Sequence, residues 1–462
     1  MNLLSDWFCL YSPHTMNPKK TGFIYFMIAW ILIGHLFVQL TGVIHYEFDP
    51  GIYWLPEYAF KDNFLKNIFH LHTNPPLLNI ISGICYKLHI PFYSFCLTTF
   101  IAMQISGTIL FYKLLQKLKI RYSAHFTFVF LGNPLHFVWF SFYYYPAILF
   151  FLSIVCLTVL YSDKPVLNKF NKIAFLLVGI SMLRASYHPI WIFLLLLSFR
   201  KLIPFNKMMP GLLLLIIPLF WYSKNYVQYG FWSGSSLFGQ NISAHYPDHL
   251  RKEVINFNSR GRYKLPFEYS GLYDENSPLI QKYSDDKLLN DSATLHNVRT
   301  IPISRGYEKE TIGNWELKYS LLTIAYGTFS FFGSPAIDEY NNKSEKPYFW
   351  NNTYLIDWFD LPNIKIKSSG EGYSFIRLSI YTIIYPLTII LLLSKYRSLT
   401  FEIKFILHWI LVTAFIYCTI DPNEAARMRY ETEPIFYFLT AVILSNLFST
   451  NDTREMIKKE SR

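Results

Sequence analysis

Asn74-Pro75-Pro76-Leu77-Leu78-Asn79-Ile80-Ile81-Ser82-Gly83-Ile84-Cys85-Tyr86-Lys87-Leu88 is the stretch on which the fold turns. It is apolar like a membrane segment, yet short of the ~20 residues a helix needs to cross a hydrocarbon core of ~30 Å. The Pro75-Pro76 pair stiffens its entry and suits a first helical turn. Were it to cross, the basic residues 113–121 would face outward and every later loop would flip. If it lies on or dips into the outer surface, the basic loops all fall on one side. Those are Lys19-Lys20 and residues 113–121, 164–172, 200–207, 395–404 and 458–462. Lys and Arg concentrate in cytoplasmic loops, so parity predicts a juxtamembrane helix over 74–88 in an otherwise spanning chain.

Composition defines that wider chain. The apolar fraction is 52%, only 16% of residues are charged, and apolar runs of about twenty residues recur. Lipid forces a backbone to satisfy its own hydrogen bonds, so the runs are expected to be helices. They fall at 21–43, 92–115, 123–141, 146–162, 173–186, 187–199, 208–222, 372–394, 402–420 and 434–449. The expected fold is therefore an all-α polytopic membrane protein. It has about ten transmembrane helices, a juxtamembrane helix in the first outer loop and a large mixed extracytoplasmic segment. The net charge of +11 sits in short loops between spans, which is a topology signal and argues against a nucleic-acid partner.

Three regions follow: an N-terminal transmembrane module, 1–222, carrying the outer loop 44–91; an extracytoplasmic segment, 223–371; and C-terminal helices with a cytosolic tail, 372–462. The segment 223–371 is polar but rich in aromatics, which argues for an ordered domain. Within it, residues 319–332 are apolar enough to touch the membrane and read as interfacial. The first apolar run lacks a small-residue cleavage site and reads as a retained span. The five cysteines show no CxxC spacing, so neither a disulfide framework nor a zinc site is expected.

The outer face gathers the residues with chemistry to offer. Asp49 lies between Phe48 and Pro50, with Glu47 two residues earlier and Glu57 on the following segment. Transfer to a hydroxyl needs a base, and partial desolvation at an apolar surface raises a carboxyl toward the working pH. A loop acid is otherwise simply solvated. His70 and His72 are spaced i, i+2, a poor metal pair, and serve local hydrogen bonding or substrate contact. Arg184 stands near the end of one apolar run and just before the next. That is costly unless it snorkels or pairs with an anion, and a phosphate suits its planar fork. An internal salt bridge is the competing reading. The loop Asp421-Pro422-Asn423-Glu424-Ala425-Ala426-Arg427-Met428-Arg429-Tyr430-Glu431-Thr432-Glu433-Pro434 is either a mutually paired helix entry or a phosphate site built on Arg427 or Arg429. Lys224, just past the seventh span, is a further candidate for the same role. Tyr143-Tyr144-Tyr145, Trp54 and Trp232 could stack on sugar rings or anchor the interface.

The order of these features resembles the GT-C superfamily of integral-membrane glycosyltransferases. Within it, the chain looks most like protein O-mannosyltransferases and lipid A aminoarabinose transferases. Asp49 followed by Asn74-Pro75-Pro76-Leu77 is similar to their first-loop acid and His/Lys-Pro-Pro-Leu helix. Here Glu47 precedes the aspartate instead of following it, and Thr73-Asn74 separate the histidine from the prolines. The stretch from Lys224 to Asn241 and the loop from Glu424 to Pro434 resemble two later family segments. The resemblance implies transfer of a sugar from a polyprenyl-phosphate donor to a lipid or protein acceptor on the outer face, with inversion. Asp49 is then the base, and Arg184, Arg427, Arg429 and Lys224 hold the donor phosphate. Glu47, Glu57, His72, Tyr144 and Glu424 line the substrate. No cofactor is certain, and a divalent metal remains open because related enzymes differ in it. No Gly-rich phosphate loop is present, in keeping with a lipid-linked donor.

Two other classes share several features. A flippase for lipid-linked saccharides also has about ten spans, but the chain lacks repeated halves with broken helices. An O-antigen-type polymerase or ligase expects its arginines in the large loop, where Arg251, Arg260, Arg262, Arg299 and Arg305 do lie. The expected location is a membrane, the bacterial cell membrane ahead of the endoplasmic reticulum.

Overall fold

A computed structural model describes residues 18–40, 54–141, 145–236, 276–291, 296–313, 315, 317–332, 358, 364–367, 373–376, 379–420 and 429–447. Asp49, Glu47, Tyr144, Arg427 and Glu424 lie outside the described residues. The described chain is overwhelmingly helical. Its helices are α1 (Pro18–Leu40), α2 (Glu57–Lys61), α3 (Phe64–His70), α4 (Leu77–Lys87), α5 (Phe92–Lys117), α6 (Ser123–Leu131), α7 (Pro134–Ser141), α8 (Tyr145–Leu160) and α9 (Val166–Ser181). Then come α10 (Pro189–Leu197), α11 (Phe205–Leu213), α12 (Ile216–Tyr229), α13 (Pro278–Lys282), α14 (Thr300–Gly313), α15 (Leu317–Phe331), α16 (Tyr381–Ser394), α17 (Phe401–Ile420) and α18 (Glu433–Leu447).

Three of these are long and apolar enough to cross a membrane: Thr21–Leu40 of α1, Ser94–Lys117 of α5 and Phe401–Thr419 of α17. The pair α11 and α12, bent by 51°, passes the same test as a unit. Ten uninterrupted spans are not what the described residues form, and prolines explain much of the difference. The run 123–141 divides into α6 and α7 because Pro134 has no N–H to give Phe130, four residues back. The His136 Nε2 lies 2.7 Å from that Phe130 carbonyl and supplies the missing bond. Trp30 Nε1 donates to the Gly132 carbonyl at 2.8 Å, and Asn133 Oδ1 accepts from the Leu135 N–H at 3.2 Å. The run 208–222 likewise breaks after α11, four residues before Pro218, and α12 continues to Tyr229. Lys224 is therefore inside a helix and not beyond its end.

Other boundaries move as well. The run 187–199 condenses to α10, nine residues, followed by a 3₁₀ turn at Ser198–Lys201. The run 372–394 begins as a strand: Tyr373–Ile376 pairs antiparallel with Ile364–Lys367, with Ile364 opposite Ile376, and the helix starts only at Tyr381. Two strands (β1, Ile364–Lys367; β2, Tyr373–Ile376) thus depart from an all-α chain. Alternation in Ile364-Lys365-Ile366-Lys367 is the local pattern a half-covered strand favours. The decisive stretch 74–88 forms α4, eleven residues, which at 1.5 Å per residue is ~16 Å long and too short to cross. Helix α15, expected to be interfacial, packs along α17.

The core is a block of stacked aromatics in which the 3₁₀ turn Tyr430–Thr432 is embedded. Tyr430 lies between Trp139 at 4.6 Å and Phe150 at 4.9 Å, both close to parallel, and Phe130 stacks on Tyr437 at 4.6 Å. Each such pair adds roughly 0.5–1.5 kcal/mol beyond its burial. Around this block α5 packs on α8, α8 on α9, α9 on α11 and α16 on α18. Helix α1 leans on α5 and α7. Gly83 lets α4 sit against α3, because a side chain there would strike the Phe64 ring.

Candidate functional site

Two clusters bring together segments far apart in the chain. The first surrounds the turn 429–433. Arg184 sits in the turn between α9 and α10, where Pro189 opens the next helix and His188 caps it by accepting from the Ile190 N–H at 3.2 Å. Its Nη1 donates to Glu431 Oε1, 247 residues along the chain, and its Nε donates to Ser186 Oγ at 3.1 Å. The other Glu431 oxygen accepts from Tyr417 Oη at 2.8 Å, and the Arg184 guanidinium lies 5.2 Å from the Tyr417 ring centre. Two residues further on, Glu433 Oε1 accepts from Tyr385 Oη at 2.5 Å. Its Oε2 lies 3.0 Å from Arg429 Nε, one turn back.

Arg429, Glu431 and Glu433 are fully buried. Burying a charge is expensive unless it is paired and its hydrogen bonds are met. Glu431 meets that condition. Arg429 does so only in part: it is paired by charge with Glu433 and lies 5.0 Å from the ring centres of both Tyr381 and Tyr385. None of its guanidinium nitrogens has a hydrogen-bond partner among the described residues. The described part of this loop, from Arg429 on, carries the internal pairing of the first reading. Arg429 is paired with Glu433 and keeps unmet donors among the described residues.

The second cluster joins the region 54–91 to residues 276–300. Tyr58 Oη donates to Asp291 Oδ2 at 2.6 Å, and the two carbonyl oxygens of Phe69 and Leu71 accept from Lys224 Nζ, the first at 3.1 Å. The Lys224 ammonium also lies 3.8 Å from the Trp221 ring centre. A cation at the last turn of α3 satisfies carbonyls that the helix leaves open. That employs Lys224 as a staple between α12 and α3. His72 is fully buried, with Nδ1 2.8 Å from Ser236 Oγ and Nε2 2.8 Å from the His296 carbonyl, and Thr73 Oγ1 is 2.9 Å from His296 Nδ1. Since a carbonyl only accepts, Nε2 carries the proton and Ser236 donates to Nδ1. His72 is thus a docking residue for the segment after α12. Glu57, by contrast, is exposed and accepts from Tyr86 Oη at 3.4 Å.

Electrostatics follow burial. Desolvation pushes His72 down to about 3, helped by the neighbouring His296 ring, and His296 down to about 4. Burial also lifts the Tyr58 hydroxyl, with Asp291 adding to the effect. Burial alone would raise Asp286, but Lys66 at 2.9 Å, the Leu289 N–H and His70 outweigh it and hold the carboxyl below its ordinary range.

Of the residues singled out from the sequence, the structure brings Arg184 and Arg429 to one turn, and His72 and Lys224 to one docking surface. Glu431, Glu433, Asp286 and His296 were missed as individual partners. The signal for Glu431 and Glu433 was the charged loop 421–434 itself, in which two arginines stand among four acids. Nothing local marks Asp286 or His296. No group of three or more metal-ligating side chains that could hold an ion occurs among the described residues. No family model, curated protein or solved structure matches the chain.

Proposed function

We propose that this chain is a multi-pass membrane glycosyltransferase of the GT-C kind, with about ten membrane segments, some of them broken. It moves a sugar from a polyprenyl-phosphate donor to an acceptor on the outer face. The observation that carries this reading is Arg429: a fully buried guanidinium with unmet donors, one turn from Glu433 and beside the Arg184–Glu431 pair. A phosphate oxygen is the partner such a fork binds best. Fixed positive charge in a dry site also stabilises the charge that develops on a leaving phosphate. The four charges at the turn already balance, so an arriving phosphate competes with a carboxylate for its arginine. By the order of motifs, Asp49 is the acid expected near the acceptor, and attack from the face opposite the phosphate inverts the anomeric centre.

Release of free polyprenyl phosphate from a panel of polyprenyl-phosphate sugars tests this in membranes carrying the wild type, Arg429→Lys or Asp49→Asn. Release by the wild type that falls at least tenfold in Arg429→Lys, at equal protein level, supports the transferase. Absence of release while labelled lipid still changes leaflet replaces it with a flippase.

A further inference from the structure

Two histidines flank the turn from α3 toward α4, and they are used differently. Both ring nitrogens of His72 are bonded. His70 Nδ1 lies 3.1 Å from Asp286 Oδ2, within ion-pair distance but not aligned for a hydrogen bond, and its Nε2 makes no hydrogen bond among the described residues. The main chain around His70 is held at four successive carbonyls. Lys224 Nζ donates to those of Phe69 and Leu71, Tyr229 Oη to that of His70 at 2.7 Å, and the Ser236 N–H to that of His72 at 2.7 Å. Asp286 is held in turn. Its Oδ1 accepts from the Leu288 and Leu289 N–H groups, each at 3.2 Å, and Lys66 Nζ lies 2.9 Å from Oδ2. The edge of Tyr283 closes one side of the imidazole, with centroids 5.6 Å apart. A ring on a main chain held in this way, with a carboxylate 3.1 Å from one nitrogen and the other nitrogen unbonded, has the placement a general base needs.

We infer that His70, oriented by Asp286, is the general base that takes the proton from the acceptor hydroxyl. This rests on the transferase reading and moves the base from Asp49 to the end of α3. As the acceptor oxygen bonds to the anomeric carbon, the bond from that carbon to the phosphate oxygen breaks, and its electron pair leaves on the phosphate. The hydroxyl proton passes to Nε2. The imidazolium so formed is paired with Asp286 until it gives the proton to water. Burial lowers the ring's affinity for a proton, with Lys66 and Lys224 adding to that and Asp286 opposing it. The same pair also docks residues 283–291 on α3. Docking alone does not require an unbonded Nε2.

The test is the pH profile of kcat/KM for polyprenyl-phosphate release by the full-length protein in detergent, with the unfolding temperature of each variant measured alongside. The wild type loses rate as the pH falls and the base becomes protonated. His70→Gln lowers the plateau by about 10²–10⁴-fold and removes that limb. Asp286→Asn removes a charge that favours imidazolium, so its limb moves to lower pH while its plateau falls. If His70→Gln keeps the wild-type rate, or if its limb survives, the inference is overturned and the transferase reading stands. Should His70→Gln not fold, an unmoved limb in Asp286→Asn overturns it equally. A limb that vanishes only in Asp49→Asn returns the base to Asp49. If the wild type releases no polyprenyl phosphate from any donor, the reading and the inference fall together.

Discussion

Glu431 compensates Arg184 inside the aromatic core, and both of its oxygens are occupied, by that guanidinium and by Tyr417. Replacing it with Gln leaves a nearly buried cation without its counter-charge. Removing one partner of a buried pair typically costs about 3–5 kcal/mol. Glu431→Gln is therefore expected to lower the unfolding transition of the detergent-solubilised protein by that amount, whereas an unchanged transition would mean that Arg184 is already solvated. Legibility at this scale was uneven. Arg184 stood out because an arginine amid apolar residues needs an anion. The identity of that anion, 247 residues away, was not legible, since sequence separation carries no distance. His72 was read as touching substrate or making local bonds, and its hydrogen-bond partners, Ser236 and His296, come from beyond α12.

At the scale of elements, the docking of residues 276–300 onto α3 and the turn after it depends on two buried, neutral imidazoles. In the folded protein His296 and His72 resist protonation down to about 4 and about 3, whereas a released segment would protonate near 6.5. The released state thus binds more protons over this range. Docking stability is complete above about pH 6.5 and is lost as the pH falls through the interval below it. Each ring contributes about 1.4 kcal/mol per pH unit there, so the pair loses about 4 kcal/mol at pH 5. Hydrogen exchange of residues 276–300 is expected to accelerate between pH 6.5 and 4 beyond the intrinsic rate change, with the α5 and α8 amides unaffected. Uniform protection across that range would show the interface to be independent of the histidines. The break between α6 and α7 belongs to this scale too. Pro134 was visible in the sequence, yet the apolar run around it outweighed it in the reading. Whether a proline divides a helix depends on whether another group, here His136, can satisfy the carbonyl it abandons.

At the scale of the whole molecule, the contacts of Tyr58, Lys66 and His70 with residues 286–291 put the loop after α1 and the segment after α12 on one face. Single cysteines in a background lacking the five native ones test the orientation of that face. Lys61→Cys and Asp285→Cys are expected to react with an impermeant maleimide in intact cells, and Lys207→Cys only after permeabilisation. Reaction of Lys207→Cys in intact cells would break the parity on which the topology rests. Composition was sufficient for the helical class, for the long apolar helices and for the shortness of α4. Those properties follow from local hydrophobicity and helical rise, both of which are written along the chain. Only the tertiary structure decided where prolines break helices, that a strand pair precedes α16, that Lys224 staples α3, and which carboxylate meets which arginine. These outcomes depend on groups satisfying one another's charge and hydrogen bonds across hundreds of residues, a quantity that exists only once the chain has packed.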